Sequence, residues 1–209
     1  MANSKNMNYT FDHNLFLLLN FDGGATMDAV MKMVSGTTMW IPLYLFILGF
    51  VWYKYGWKRA IGFLLCLVLA IGLSDIVCGI FKHSGPLKHL WASFPVRHRP
   101  MFDSAVRDLA HVVSYKHGLY GTVSAHAATV VALAWMSALV IRNKWYNLVI
   151  SLAVILICYS RIYLACHFPM DILLGSIVGT ISGVSIFFLW KKFDIVLQKT
   201  TFAHRKTRK

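Results

Sequence analysis

The sequence predicts an all-α polytopic membrane helix bundle, with about five spans plus an N-terminal interfacial helix. Three observations carry this reading. Hydrophobic residues make up 57% of the 209 residues and the mean hydropathy is +0.58, too apolar for a soluble domain of this size. Several apolar runs reach the roughly 20 residues that cross a bilayer. Most of the basic residues behind the net charge of +13 lie at the ends of those runs, where membrane topology and anionic head groups explain them better than nucleic acid does.

Taken in order, residues 1–36 form an N-terminal interfacial segment without the layout of a secretory signal. Within it, NLFLLLNF at 14–21 is too short to span and reads as a helix lying at the membrane surface, and TMDAVMKMVSG leads into the first span. Spans follow at about 37–53, 60–81, 123–141, 145–165 and 172–190, giving one membrane domain over 37–190 and a basic cytoplasmic tail over 191–209. No internal repeat and no nucleic-acid motif is visible. Cys66, Cys78 and Cys158 lie inside spans and Cys166 stands alone, so neither a disulfide nor a zinc site is expected. The short turns at 54–59 and 142–144 and the tail carry one group of Lys and Arg, which the positive-inside rule assigns to the cytoplasm. The N-terminus, the 82–122 loop and the 166–171 turn then share the outer side.

That outer loop is far longer than the usual connection between bundle helices. Its Lys82, Lys88, Arg97, Arg99, Arg107 and Lys116 run against the topology rule, and its SFPVRHRPMF and HGLYG stretches carry aromatics suited to packing.

The topology gathers three polar clusters at one leaflet: Arg97 and Arg99, then Ser124 and His126, then Arg161, His167 and Asp171. Ionisable groups beside spans are costly and normally face a bundle interior or a wet cavity. Pro169 suits the first turn of a helix, so the last span begins at PMD with Asp171 in its first turn and His167 just before it. Asp171 can then hold one His167 ring nitrogen and leave the other as a nucleophile. Ser124 can cap the third span, whose first backbone N–H groups make an anion site. The guanidinium forks of Arg99 and Arg161 match phosphate oxygens, and His126 can protonate a departing oxygen. There is no aspartate-rich cluster for magnesium and no zinc pattern, so these residue types allow metal-free, cofactor-free phosphoryl transfer through a phosphohistidine.

These motifs resemble those of the type-2 phosphatidic acid phosphatases, whose fold is shared with bacterial acid phosphatases and vanadium haloperoxidases. The family's third motif is complete as Ser160, Arg161, His167 and Asp171. The second is present as Val123, Ser124, Ala125 and His126, with its proline and glycine replaced. The first retains Arg99 and Pro100, but its lysine would fall on Ala92. Lys82, with extra loop after it, is the favoured replacement, and Lys88 and Arg97 are rivals. The resemblance implies that His167 attacks phosphorus, Asp171 orients it and His126 acts as acid and then base. Arg99, Arg161, Ser124 and a lysine would hold the phosphate, with the Ala125 backbone close by.

The resemblance further implies a lipid phosphate substrate at the periplasmic face of a bacterial inner membrane. The sequence leans slightly to lipid A, ahead of undecaprenyl diphosphate, phosphatidylglycerol phosphate and phosphatidic acid. A lipid phosphotransferase would use the same residues. A transporter is the rival from another class, kept open by Asp75 within the second span, although Asp75 lies on the Lys82 face of that helix and suits electrostatic support of the site. A haloperoxidase is disfavoured by the short, membrane-bound chain. Oligomeric state is not readable.

Overall fold

The computed structural model describes residues 10–81, 97–113 and 118–206. Among these the chain is all-helical, with seven α-helices. Two helices precede the first expected span. Helix α1, Phe11–Leu19, is capped by Thr10, whose hydroxyl accepts from the His13 N–H at 3.4 Å. Helix α2, Gly24–Ser35, starts where Asp22 Oδ1 accepts from the Gly24 N–H at 2.8 Å. Residues of α2 were expected to lead straight into the first span. Instead the chain bends by 67° between α2 and the segment Thr38–Tyr55. Trp40 pins that corner by donating its indole N–H to the Val34 carbonyl at 2.8 Å.

The five expected spans appear as α3 (Ile41–Tyr55), α4 (Trp57–Ile80), α5 (Ala125–Ile141), α6 (Lys144–Tyr163) and α7 (Pro169–Lys206). Three of them, α4, α6 and α7 through Val196, are each long and apolar enough to cross a membrane. The bent α2–α3 pair passes that test only when taken together, and α5 is a shorter apolar helix. Gly56 makes the tight turn from α3 into α4 at φ 84°, a conformation that favours glycine. Helix α7 does not stop near 190: it continues as helix through Lys206, so the basic tail extends the last span.

Helix α5 is the hub, packing on α4, α6 and α7. Its seam with α7 is made of small residues. A Cβ at Gly175, Gly179 or Gly183 would collide with the carbonyl oxygen of Ser124, Ala128 or Ala132 in turn. Four-residue spacing on both helices lets the backbones touch, which is how membrane helices gain contact without a hydrophobic drive. Large apolar residues of α3, α4, α6 and α7, such as Leu45, Leu65, Val68, Ile155 and Ile181, face outward, as a lipid-immersed bundle requires.

At one end Trp190 packs among Tyr55, Phe63 and Phe187. At the other, α1 and α2 lie over the α6–α7 turn. Buried Asn20 ties them down: its amide donates to the Tyr163 carbonyl at 2.7 Å, and its oxygen accepts from the His111 N–H at 2.7 Å. Tyr163 and His111 both donate to Asp28 Oδ1, at 2.7 and 2.8 Å.

Candidate active site

The polar end of the bundle is assembled by backbone geometry before any side chain acts. Helix α6 ends at a left-handed residue, Ala165, with φ 53°. The Cys166 and His167 N–H groups then turn back onto the Arg161 carbonyl at 2.9 and 3.3 Å. Arg161 and His167, separated by a helical turn and a loop, therefore become neighbours. Pro169 opens α7, as its ring favours. Asp171 reaches back to accept from the Phe168 N–H at 2.9 Å, an acidic side chain capping its own helix. Ser124 caps α5: its hydroxyl accepts from the Ala127 N–H at 3.3 Å. Its own N–H donates to the Asp171 carbonyl at 3.0 Å, which sets the start of α5 against the start of α7.

The outer loop closes the site from a third side. Arg99 N–H donates to the Leu119 carbonyl at 3.0 Å and Gly121 N–H to the Arg97 carbonyl at 2.9 Å, around an antiparallel bridge between His98 and Tyr120. This ribbon carries Arg99 and Gly121 onto His167.

His167 is 1% exposed and its contacts select one tautomer. Nδ1 lies 3.0 Å from the Gly121 carbonyl oxygen, which can only accept. Nε2 lies 3.3 Å from Arg99 Nη1, which can only donate. Both contacts are satisfied when Nδ1 carries the proton and Nε2 holds a lone pair directed at a guanidinium. Asp171 was expected to hold one ring nitrogen of His167. Its Oδ2 is instead 3.6 Å away, outside hydrogen-bond range, and the Gly121 carbonyl takes that place. Gly121 was not singled out as a site residue, because HGLYG signals only packing. A Cβ there would stand 2.8 Å from Arg99 Cγ and 3.4 Å from His167 Nδ1, so only glycine permits the approach.

Arg99 and Arg161 are both buried, at 9% and 4% exposure. Arg99 Nη1 also donates to the Cys166 carbonyl at 3.0 Å, and Arg161 Nη1 donates to the Ser35 hydroxyl at the end of α2. Neither guanidinium has a carboxylate within ion-pair distance among the described residues, and the Nε of each is buried without an acceptor. Burial above all, with the nearby Arg161 charge, holds the Arg99 pKa below its usual value. Two nearby buried cations without an ion-pair partner among the described residues have the chemistry to accept an anion.

The remaining expected residues divide. Ala125 opens α5, and His126 follows it in the exposed first turn of that helix. Arg97 is drawn to carboxylates: its Nη1 is 2.6 Å from Asp12 Oδ2 and 3.5 Å from Asp171 Oδ1. Ser160 is buried with its hydroxyl donated to the Ile157 carbonyl at 2.7 Å, so it serves its own helix. Lys82 and Lys88 lie outside the described residues. Asp75 is exposed on α4. Asp12 and Ser35 were missed altogether, since nothing in a short N-terminal amphipathic stretch signals contact with residues 158 and 126 positions later.

Fold and chemistry together define a helical membrane phosphatase. Residues 63–194 match the PAP2 superfamily, and the chain belongs to that family. It is 34% identical over 172 residues to the lipid A 4'-phosphatase of Porphyromonas gingivalis, covering 82% of this chain and 70% of that protein. It is 29% identical over 192 residues to the lipid A 4'-phosphatase of Bacteroides thetaiotaomicron, covering 91% of this chain and 81% of that one. The crystal structure of Aquifex aeolicus LpxE shares the fold, with a TM-score of 0.62 at 20% identity over 86% of this chain and 96% of that chain.

Proposed function

We propose that this protein removes a phosphate from lipid A through a phosphohistidine on His167, without a metal ion. The observation that carries the reading is His167 Nε2 set 3.3 Å from Arg99 Nη1, with Arg99 and Arg161 both buried and the Nε of each without an acceptor. In the first step the Nε2–phosphorus bond forms as the phosphorus–oxygen bond to the lipid breaks. His126 gives its proton to the departing oxygen. Arg99 and Arg161 neutralise the charge on the phosphoryl oxygens, where fixed donors act most strongly. In the second step His126 takes a proton from water as that water attacks phosphorus. The nitrogen–phosphorus bond breaks, inorganic phosphate leaves and His167 is restored. Ser124 and the first amides of α5 serve the same oxygens.

The substrate assignment draws on the two lipid A 4'-phosphatases that this chain resembles. The basic turns at the opposite end favour an outward-facing site on the bacterial inner membrane, where the head group meets the pocket and the acyl chains stay in lipid.

The test is phosphate release from a panel of lipid A, undecaprenyl diphosphate, phosphatidylglycerol phosphate and phosphatidic acid in EDTA. His167→Ala and His126→Ala run beside the native protein. The proposal expects release from lipid A, loss in both variants and a ³²P-labelled, acid-labile enzyme intermediate. Dependence on added divalent metal, or full activity in His167→Ala, overturns the mechanism. Preference for another lipid overturns the substrate, and label passing to an acceptor lipid instead of water makes the protein a transferase.

A further inference from the structure

The back of the His167 site reaches an element outside the family match. Asp12, in the first turn of α1, is 7% exposed. Its Oδ2 accepts from Arg97 Nη1 at 2.6 Å and its Oδ1 from the Met170 N–H, in the first turn of α7, at 3.0 Å. The same Arg97 nitrogen stands 3.5 Å from Asp171 Oδ1, and the guanidinium carbon lies 3.7 Å above the centroid of Phe168. Asp171 Oδ2 in turn takes the Phe168 N–H and lies 3.6 Å from His167 Nδ1. A continuous run of charge therefore links α1 to the nucleophile.

We propose that Asp12 and Arg97 are positioning residues for the phosphoryl transfer, an inference that rests on the phosphohistidine reading above. When Nε2 bonds to phosphorus, Nδ1 keeps its proton and the ring becomes cationic. Asp171 is the carboxylate placed to answer that charge. An isolated Arg97 would oppose this twice: it would offset the Asp171 charge and draw the carboxylate away from the ring. Asp12 prevents both. It takes the shorter contact with Arg97 and leaves the run of Asp12, Arg97 and Asp171 with one negative charge in excess. Stacking on Phe168 fixes the guanidinium in a plane that lysine could not reproduce. The N-terminal helix is thus part of the catalytic framework, although it carries no family motif.

The experiment measures kcat, KM and thermal unfolding of the full chain for Asp12→Asn, Asp12→Glu and Arg97→Lys, each alone and combined with Asp171→Asn. Asparagine still accepts from the Met170 N–H, so α1 stays docked. Asp12→Asn is expected to lower kcat about tenfold with little change in KM, as removal of one member of a coupled network does. Asp12→Glu restores most of the loss. In the Asp171→Asn background Asp12→Asn has no further effect, and Arg97→Lys behaves likewise. Unchanged kcat, an effect on KM alone, or equal losses in both backgrounds overturn the proposal, the last assigning Asp12 a docking role only. His167→Ala separates the two readings. If it is inactive while Asp12→Asn is fully active, the positioning pair fails alone; if it is active, the phosphohistidine itself is wrong.

Discussion

The two ends of the bundle treat their polar groups in opposite ways. At the aromatic end most are satisfied close at hand. Tyr55 donates to the Val140 carbonyl at 3.0 Å, Tyr146 donates to Ser137 at 2.7 Å, and Arg59 pairs with Asp194 at 2.6 Å. Asn143 caps α6 through two N–H bonds of 2.9 and 3.0 Å. At the site end two guanidiniums are buried beside a histidine with no carboxylate in ion-pair reach among the described residues. Uncompensated buried charge costs stability, so a protein retains it where a ligand supplies the missing charge. The Arg59 charge at the aromatic end is therefore answered in place, although the buried Trp190 indole N–H finds no acceptor there, and under the proposed function the two site arginines are answered by an anion.

This contrast is sharpest in variants that should uncouple activity from stability. The largest effect is expected for His167→Ala, with turnover lost by at least about 10⁴-fold, as for removal of a nucleophile elsewhere. Its melting temperature in detergent should stay near that of the native protein. Phosphate release and differential scanning fluorimetry on one preparation check both halves. Next comes Trp190→Ala at the aromatic end, expected to cost about 3–5 kcal/mol of stability through the cavity it leaves. The fraction still folded should turn over within about twofold of native, since packing rather than chemistry is lost there. A comparable loss of kcat would mean that the two ends are coupled.

Arg161→Met should lower kcat/KM about 10²–10³-fold, the usual cost of removing a donor to transition-state charge. Because it also removes an uncompensated cation, its melting temperature should hold or rise, and a fall of several degrees would break the comparison. Inorganic phosphate or vanadate should raise the melting temperature of the native protein more than that of Arg161→Met. The smallest effect is expected for Ser137→Ala, which strands the Tyr146 hydroxyl. It should cost about 1–3 kcal/mol on thermal unfolding, with unchanged kinetics.

Much of this was legible in the chain because the features are local. The apolar runs placed five helical segments near their observed positions, and Pro169 marked the start of α7. Ser124 was readable as a cap, and the Ser160–Asp171 motif named the residues that the α6–α7 turn brings together. What escaped depends on contacts across long separations. Asp12 meets Met170 and Arg97, Ser35 meets Arg161, and Gly121 supplies the carbonyl opposite Nδ1. Spacing within a motif carries no information about a partner from another element. The α5–α7 seam was not read from the sequence, although Gly175, Gly179 and Gly183 recur every four residues, because its partner Ala128 carries no signal of its own.

By itself the sequence determined that this chain is a membrane bundle and, through its motifs, a member of the PAP2 superfamily, with Arg99, Arg161 and His167 at one end of the bundle. The bundle follows from hydropathy period and helix breakers, which act over a few turns of chain, and the family follows from the match of its motifs. Tertiary structure alone decided which arginine faces His167 and which is held by carboxylates. Arg97 and Arg99 sit two residues apart in the same ribbon, yet one is claimed by Asp12 from α1 and the other by His167. Charge is settled by the nearest partner in space, and for both arginines that partner is a long way off along the chain.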